Sequence, residues 1–105
     1  MEFIGKISDD YFLETKDHIV ICGCGQTGKK VLNNLIERGL SDKVLGFCDR
    51  NIESQGTFVM EKLVYSYEEI IRIDPSAAYL IACADILQVL EILNKNNIKM
   101  VHITR

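Results

Sequence analysis

No stretch of the 105-residue sequence approaches the ~18 consecutive apolar residues of a membrane span, so no transmembrane helix is expected. Cations are scarce too: 12 Lys and Arg face 15 Asp and Glu, a formal net charge of -3. Nucleic-acid binding needs clustered cations to neutralise phosphates, and Lys29-Lys30 is the only adjacent basic pair, so nucleic acid is not expected as a partner. Residues 1 to 17 carry acids throughout and lack an apolar signal core, which points to a cytoplasmic chain. The four cysteines are then expected to be reduced. None of them forms a C-x-x-C pair, which argues against a dithiol redox site or a soft-metal site.

A catalytic set is also missing. Tyr-x-x-x-Lys does not occur: Tyr65 is followed at that spacing by Glu69, Tyr67 by Ile71 and Tyr79 by Cys83. His18 and His102 fall at a strand start and in a terminal strand, and read as structural. Hydride transfer needs a second half of the protein to hold the reacting ring and the substrate, and 105 residues suit only one domain. No catalytic residue and no metal ligand is assigned, and a complete oxidoreductase is not expected.

What is present is a glycine-rich turn. Ile19-Val20-Ile21-Cys22 reads as a buried strand that runs into Gly23-Cys24-Gly25-Gln26-Thr27-Gly28 and then a helix. The glycines stand at G-x-G-x-x-G spacing. Gly23 suits the tight turn, Gly25 a close approach of an anionic ligand to the main chain, and Gly28 the packing of helix on strand. The N–H groups that open the helix would then face that ligand.

The rest of the chain alternates strand and helix. Apolar spacing predicts a helix over Thr27 to Arg38, with Val31, Leu32, Leu35 and Ile36 facing inward and Gly39 ending it. Val44 to Cys48 reads as the second strand. Thr57 to Met60 or Leu63 to Val64 reads as a short third. Ser66 and Glu69 form a capping box for a helix from Tyr67 to Ile73, which Asp74-Pro75 stops. Ala78 to Ala84 is a further strand, Asp85 a cap for a helix running to about Asn94, and Lys99 to Thr104 a last strand. This order predicts an α/β fold: a Rossmann-like parallel sheet of about four to five strands with helices on both faces. The Ile19 strand should be central, flanked by those of Val44 and Tyr79. Residues 18–105 would form this domain. Residues 1–17, with Ile4, Ile7, Tyr11, Phe12 and Leu13 on one face, would be an arm or docking helix that packs on the sheet, supports a homodimer or meets a catalytic partner.

Asp49 adds weight to the turn. It ends the second strand, 49 − 28 = 21 residues beyond the third glycine, where a carboxylate can accept hydrogen bonds from an adenosine ribose. Its charge would repel a 2′-phosphate and so favour NAD over NADP, whereas Arg50 next to it can receive a phosphate or stack on adenine. The plainer alternative is that Asp49 ends a strand and caps a turn with Asn51. Gly23 to Lys29 also fits G-x-x-x-x-G-K, but Lys30 stands where a P-loop needs a Ser or Thr hydroxyl for Mg²⁺. Cys22, Cys48 and Cys83 should gather near one edge of the sheet with Cys24 above, their side chains differing in direction, as ordinary small buried residues.

Gly23-Cys24-Gly25-Gln26-Thr27-Gly28, Val44-Leu45-Gly46-Phe47-Cys48-Asp49, Gly56 and Val64-Tyr65-Ser66 before Glu68-Glu69-Ile70 together resemble the NAD(P)-binding Rossmann modules of bacterial polysaccharide and nucleotide-sugar biosynthesis proteins, which include epimerase- and dehydratase-like enzymes. The resemblance covers about residues 18 to 103. It implies binding of NAD, NADP or another adenine nucleotide by Gly23, Gly25, Gly28 and Asp49, with the Cys83-Ala84-Asp85 turn over the cofactor. Catalysis would come from a partner or from the rest of a larger enzyme. His18 to Gly23 and Val101 to Arg105 are also similar to regulatory nucleotide-binding domains of potassium channels and transporters, although the Gly-Asp pair usual after their third strand is missing. A domain of the same fold that only docks on another protein is a further alternative.

Overall fold

The computed structural model describes residues 16–104, so the arm or docking helix expected over residues 1–17 lies almost wholly outside the described residues. The described chain is a mixed α/β domain that begins with β1 (Ile19–Cys22), in which all four side chains are fully buried. A strand that is apolar at every position has no solvent face, and β1 lies at the centre of a six-stranded sheet between β2 (Val44–Cys48) and β5 (Ala78–Ile81). Ile21 pairs with Phe47 on one side and Leu80 on the other, both in parallel register. The sheet continues through β4 (Lys62–Tyr65) to β3 (Phe58–Val59) at one edge, and through β5 to β6 (Val101–Ile103) at the other.

Five strands are parallel, as the alternation of elements requires; β3 alone runs antiparallel, to β4. Both short segments read as rival third strands therefore form, joined as a hairpin. Its turn rests on Met60 (φ 51°) and Glu61 (φ 71°), non-glycine residues in the left-handed region. That is the geometry of a tight hairpin, in a sequence with none of its usual Asn-Gly signal.

Among the described residues, three α-helices sandwich the sheet. Helix α1 (Gln26–Glu37) covers one face and buries Gly28, Val31, Leu32 and Leu35 against Ile19, Ile21 and Phe47. Ile36 is 44% exposed and not part of this face, a correction to the expected stripe, because it lies just beyond the arc that Leu32 and Leu35 define. The helix ends in a Schellman motif: Gly39 N–H donates to Ile36 O (3.0 Å) and Leu40 N–H to Leu35 O (2.9 Å), with Gly39 at φ 76°. Helices α2 (Tyr67–Ile73) and α3 (Ile86–Lys95) cover the other face, packing Tyr67, Ile70, Val89 and Leu93 on Val20, Cys22 and Tyr79. The capping box at the start of α2 is present, with Glu69 N–H to Ser66 Oγ at 3.1 Å and Ser66 N–H to Glu69 Oε1 at 3.4 Å.

β5 stops at Ile81, short of the expected Ala84. After Ala82 N–H donates to Cys22 O (2.8 Å), β1 turns away at Gly23 and leaves the later residues without a ladder partner. At the opposite end of β1, His18 Nδ1 contacts Asp74 Oδ2 at 2.5 Å, the structural role expected of that histidine.

Candidate functional site

The carboxyl ends of β1, β2 and β5 lie side by side, so the residues that follow each strand meet over one crevice. Gly23 leaves β1 at φ 112°, and its N–H donates to Cys48 O at 2.8 Å. A Cβ on Gly23 would lie 2.6 Å from the Ala82 carbonyl oxygen. A Cβ on Gly28 would lie 2.0 Å from the Gly23 carbonyl oxygen, so the third glycine is what lets α1 pack on the turn. Gly25 is different: it is exposed, its φ is an ordinary -85°, and a Cβ there would have no atom within 4 Å. The space above Gly25 is open, as an approaching ligand requires.

Helix α1 begins directly after Gly25, with no side-chain cap and no acid in its first turn. Its opening N–H groups are therefore left to the crevice, where partial positive charge favours an anion. Gln26 and Thr27 are exposed there. With Gly23, Cys24, Gly25, Asp49, Ala82, Cys83 and Ala84 they line an open cleft of about 270 Å³. The expected turn, acid and Cys83-Ala84 segment are thus brought together.

Asp49 sits beside the turn and is already engaged. Its Oδ2 accepts from Cys24 N–H and from the Cys24 thiol, each at 3.2 Å, and its Oδ1 accepts from Asn51 N–H at 2.9 Å. The capping of a turn with Asn51 and the reach toward the glycine turn are both present in one side chain. Gln55 Nε2 donates to the Asp49 carbonyl at 2.9 Å and steadies the loop. The sequence reading missed Gln55, because a loop glutamine carries no positional signal.

Arg50 forms an ion pair with Asp85, and both border a hollow that Gly23 also lines. Asp85 does occupy the N-cap position of α3, but its side chain makes no capping hydrogen bond, contrary to expectation. The Cys83 thiol and the Arg50 guanidinium hold the carboxylate instead; the Cys83 hydrogen bond first and the Arg50 contact with it lower its pKa, against burial, which raises it. Beneath the pair is a hollow of about 30 Å³ bounded by Gly23, Asp49, Tyr67, Cys83 and Val89. Tyr67 was also missed as a neighbour of the crevice. Its signal was its place just after the Ser66 cap, at the end of the strand that pairs with Cys48.

The cysteines gather as expected, but the three at the strand ends, Cys22, Cys48 and Cys83, share one face rather than differing in direction. Cys22 and Cys48 are register partners, and both pack with Cys83 in the α2/α3 layer, whereas Cys24 packs on the α1 side. All four are free thiols. Burial, then the adjacent Cys22, raises Cys48 well above an ordinary thiol. Burial and the Asp85 carboxylate push Cys83 up to about 12, and burial and Asp49 raise Cys24. Thiols held protonated are poor nucleophiles and poor metal ligands. Among the described residues, no group of three or more His, Cys, Asp or Glu is placed to hold a metal ion.

A larger hollow lies elsewhere, a groove of about 570 Å³ between α3 and β6 bordered by Leu87, Leu90, Glu91 and Val101. Neither the glycine turn nor Asp49 borders it. Among the described residues, no helix is long and apolar enough to cross a membrane. Neither a protein-family model nor a curated protein matches the chain.

Proposed function

We propose that the crevice binds the ADP portion of a dinucleotide, NAD(H) above all, and that the domain serves as a cofactor-binding module or subunit within the cell. The observation that carries this reading is the open space over Gly25 between the uncapped start of α1 and the Asp49 carboxylate. A pyrophosphate fits the first and a ribose diol the second. Asp49 keeps acceptor capacity for a hydroxyl, since two carboxylate oxygens offer about four lone-pair sites and three are in use. Cys83, Ala84 and Asp85 would border the bound cofactor, and Arg50 would lie near its base. The resemblance of the turn and the following strand ends to nucleotide-sugar and polysaccharide biosynthesis modules supports that metabolic setting, with chemistry supplied by a partner.

Calorimetry with NAD, NADP, AMP and a uridine diphosphate sugar tests it. Saturable binding of NAD is expected, tighter than that of NADP because Asp49 opposes a 2′-phosphate. Asp49→Ala should weaken NAD about tenfold or more, the usual worth of a hydrogen bond to a charged group. Heat with none of the four ligands would overturn the reading. A second reading, a docking domain that binds no nucleotide, draws on the three hydrogen bonds Asp49 already accepts. It predicts that absence of heat.

A further inference from the structure

The Arg50–Asp85 ion pair joins the loop after β2 to the loop before α3. Because β2 and β5 flank β1, it crosses the crevice above Gly23. It borders the smaller of two hollows that share Gly23, Asp49 and Cys83: the hollow of about 30 Å³ beside Tyr67 and Val89, next to the open cleft of about 270 Å³ at the glycine turn. If phosphates lie at the turn and the ribose at Asp49, the base attached to that ribose must extend past Asp49, toward the pair. The smaller hollow is about the size of one water, so a purine cannot enter while the pair is closed. The side chains have room to part. They are 48% and 42% exposed, and Asp85 has an alternative position available as the side-chain cap that α3 now lacks.

We infer that Arg50 and Asp85 form a latch across the base end of the crevice, which must open to admit the nucleobase of an adenine nucleotide. This rests on the nucleotide reading of the same site. Opening gives up an exposed ion pair and enlarges the hollow beside Tyr67 and Val89, which adjoins the cleft through Gly23, Asp49 and Cys83. The latch thus lowers affinity for any ligand that carries a base, in proportion to the strength of the pair.

The test is the neutral double variant Arg50→Gln/Asp85→Asn, which removes the pair and leaves the net charge at -3. NAD affinity should rise about two- to fivefold, the range expected of an exposed ion pair. An unchanged or weaker NAD affinity in the double variant overturns the latch while leaving the nucleotide site intact. A ligand-free measurement separates the two ideas. In Arg50→Gln alone, Cys83 should react faster with a maleimide, because the hollow it borders opens. If the latch is absent, loss of a neighbouring cation should slow that reaction by disfavouring the thiolate, and a slower or equal rate overturns the proposal. Absence of NAD binding in both the parent and the double variant refutes the nucleotide reading and, with it, the base-gating role, even if Cys83 labelling shows that the pair opens.

Discussion

Gly25 and Gly28 are three residues apart and have opposite physical reasons to be glycine. A side chain on Gly28 meets the Gly23 carbonyl oxygen at 2.0 Å, whereas one on Gly25 meets nothing within 4 Å. Gly28→Ala should therefore destabilise the fold by about 1–3 kcal/mol or more through overpacking against backbone, measured by urea unfolding. Gly25→Val should leave the unfolding midpoint nearly unchanged while weakening nucleotide binding at least tenfold. The G-x-G-x-x-G spacing and its division of labour, Gly25 for the cleft and Gly28 for the fold, were legible in the sequence; the backbone atoms that a side chain on Gly23 or Gly28 would meet were not, since they depend on where Ala82 and Gly23 lie in space. Asp74 offers a residue-scale test of pH dependence. Burial raises its pKa, but hydrogen bonds from His18 and Ser76 outweigh this and hold it below an ordinary carboxylate. A carboxylate depressed in the folded state adds stability above its unfolded pKa of about 4, and that stability is lost as pH falls through the folded value. Asp74→Asn should accordingly lower stability at pH 7 and flatten its acid dependence, converging on the parent near pH 2.

Elements were legible where local chemistry alone defines them. The Ser66–Glu69 box and the Pro75 stop bound α2 as the sequence suggests, and Ser66→Ala should cost about 0.5–2 kcal/mol in denaturant. Elements whose ends depend on a neighbour were less legible. β5 ends where β1 departs, a fact that nothing within Ala78 to Ala84 reveals. The β3–β4 hairpin looked like two competing strands because Met60-Glu61 lacks turn residues. Each of these holds left-handed geometry at a cost of roughly 1–2 kcal/mol, so Met60→Asn/Glu61→Gly should stabilise the domain by a similar order, seen as a higher melting temperature.

At the scale of the molecule, the strand order β3-β4-β2-β1-β5-β6 keeps β1 between β2 and β5, as the sequence suggests, and places the glycine turn, Asp49 and Cys83 at one end of the sheet. That much of the site was legible, because parallel strands joined by helices bring all their carboxyl ends to the same side. The Arg50–Asp85 pair was not, for it joins residues 35 positions apart through side chains with no sequence pattern. The crevice is also smaller than the groove between α3 and β6, so size and chemistry point to different places on the same surface. Titration of the ¹⁵N-labelled protein with NAD, followed through backbone amide shifts, distinguishes them most directly. Saturable shifts at Gly23 to Gly28, Asp49 and Cys83 to Asp85 are the predicted result; no shifts, or shifts confined to Leu87, Leu90, Glu91 and Val101, would contradict nucleotide binding at the glycine turn.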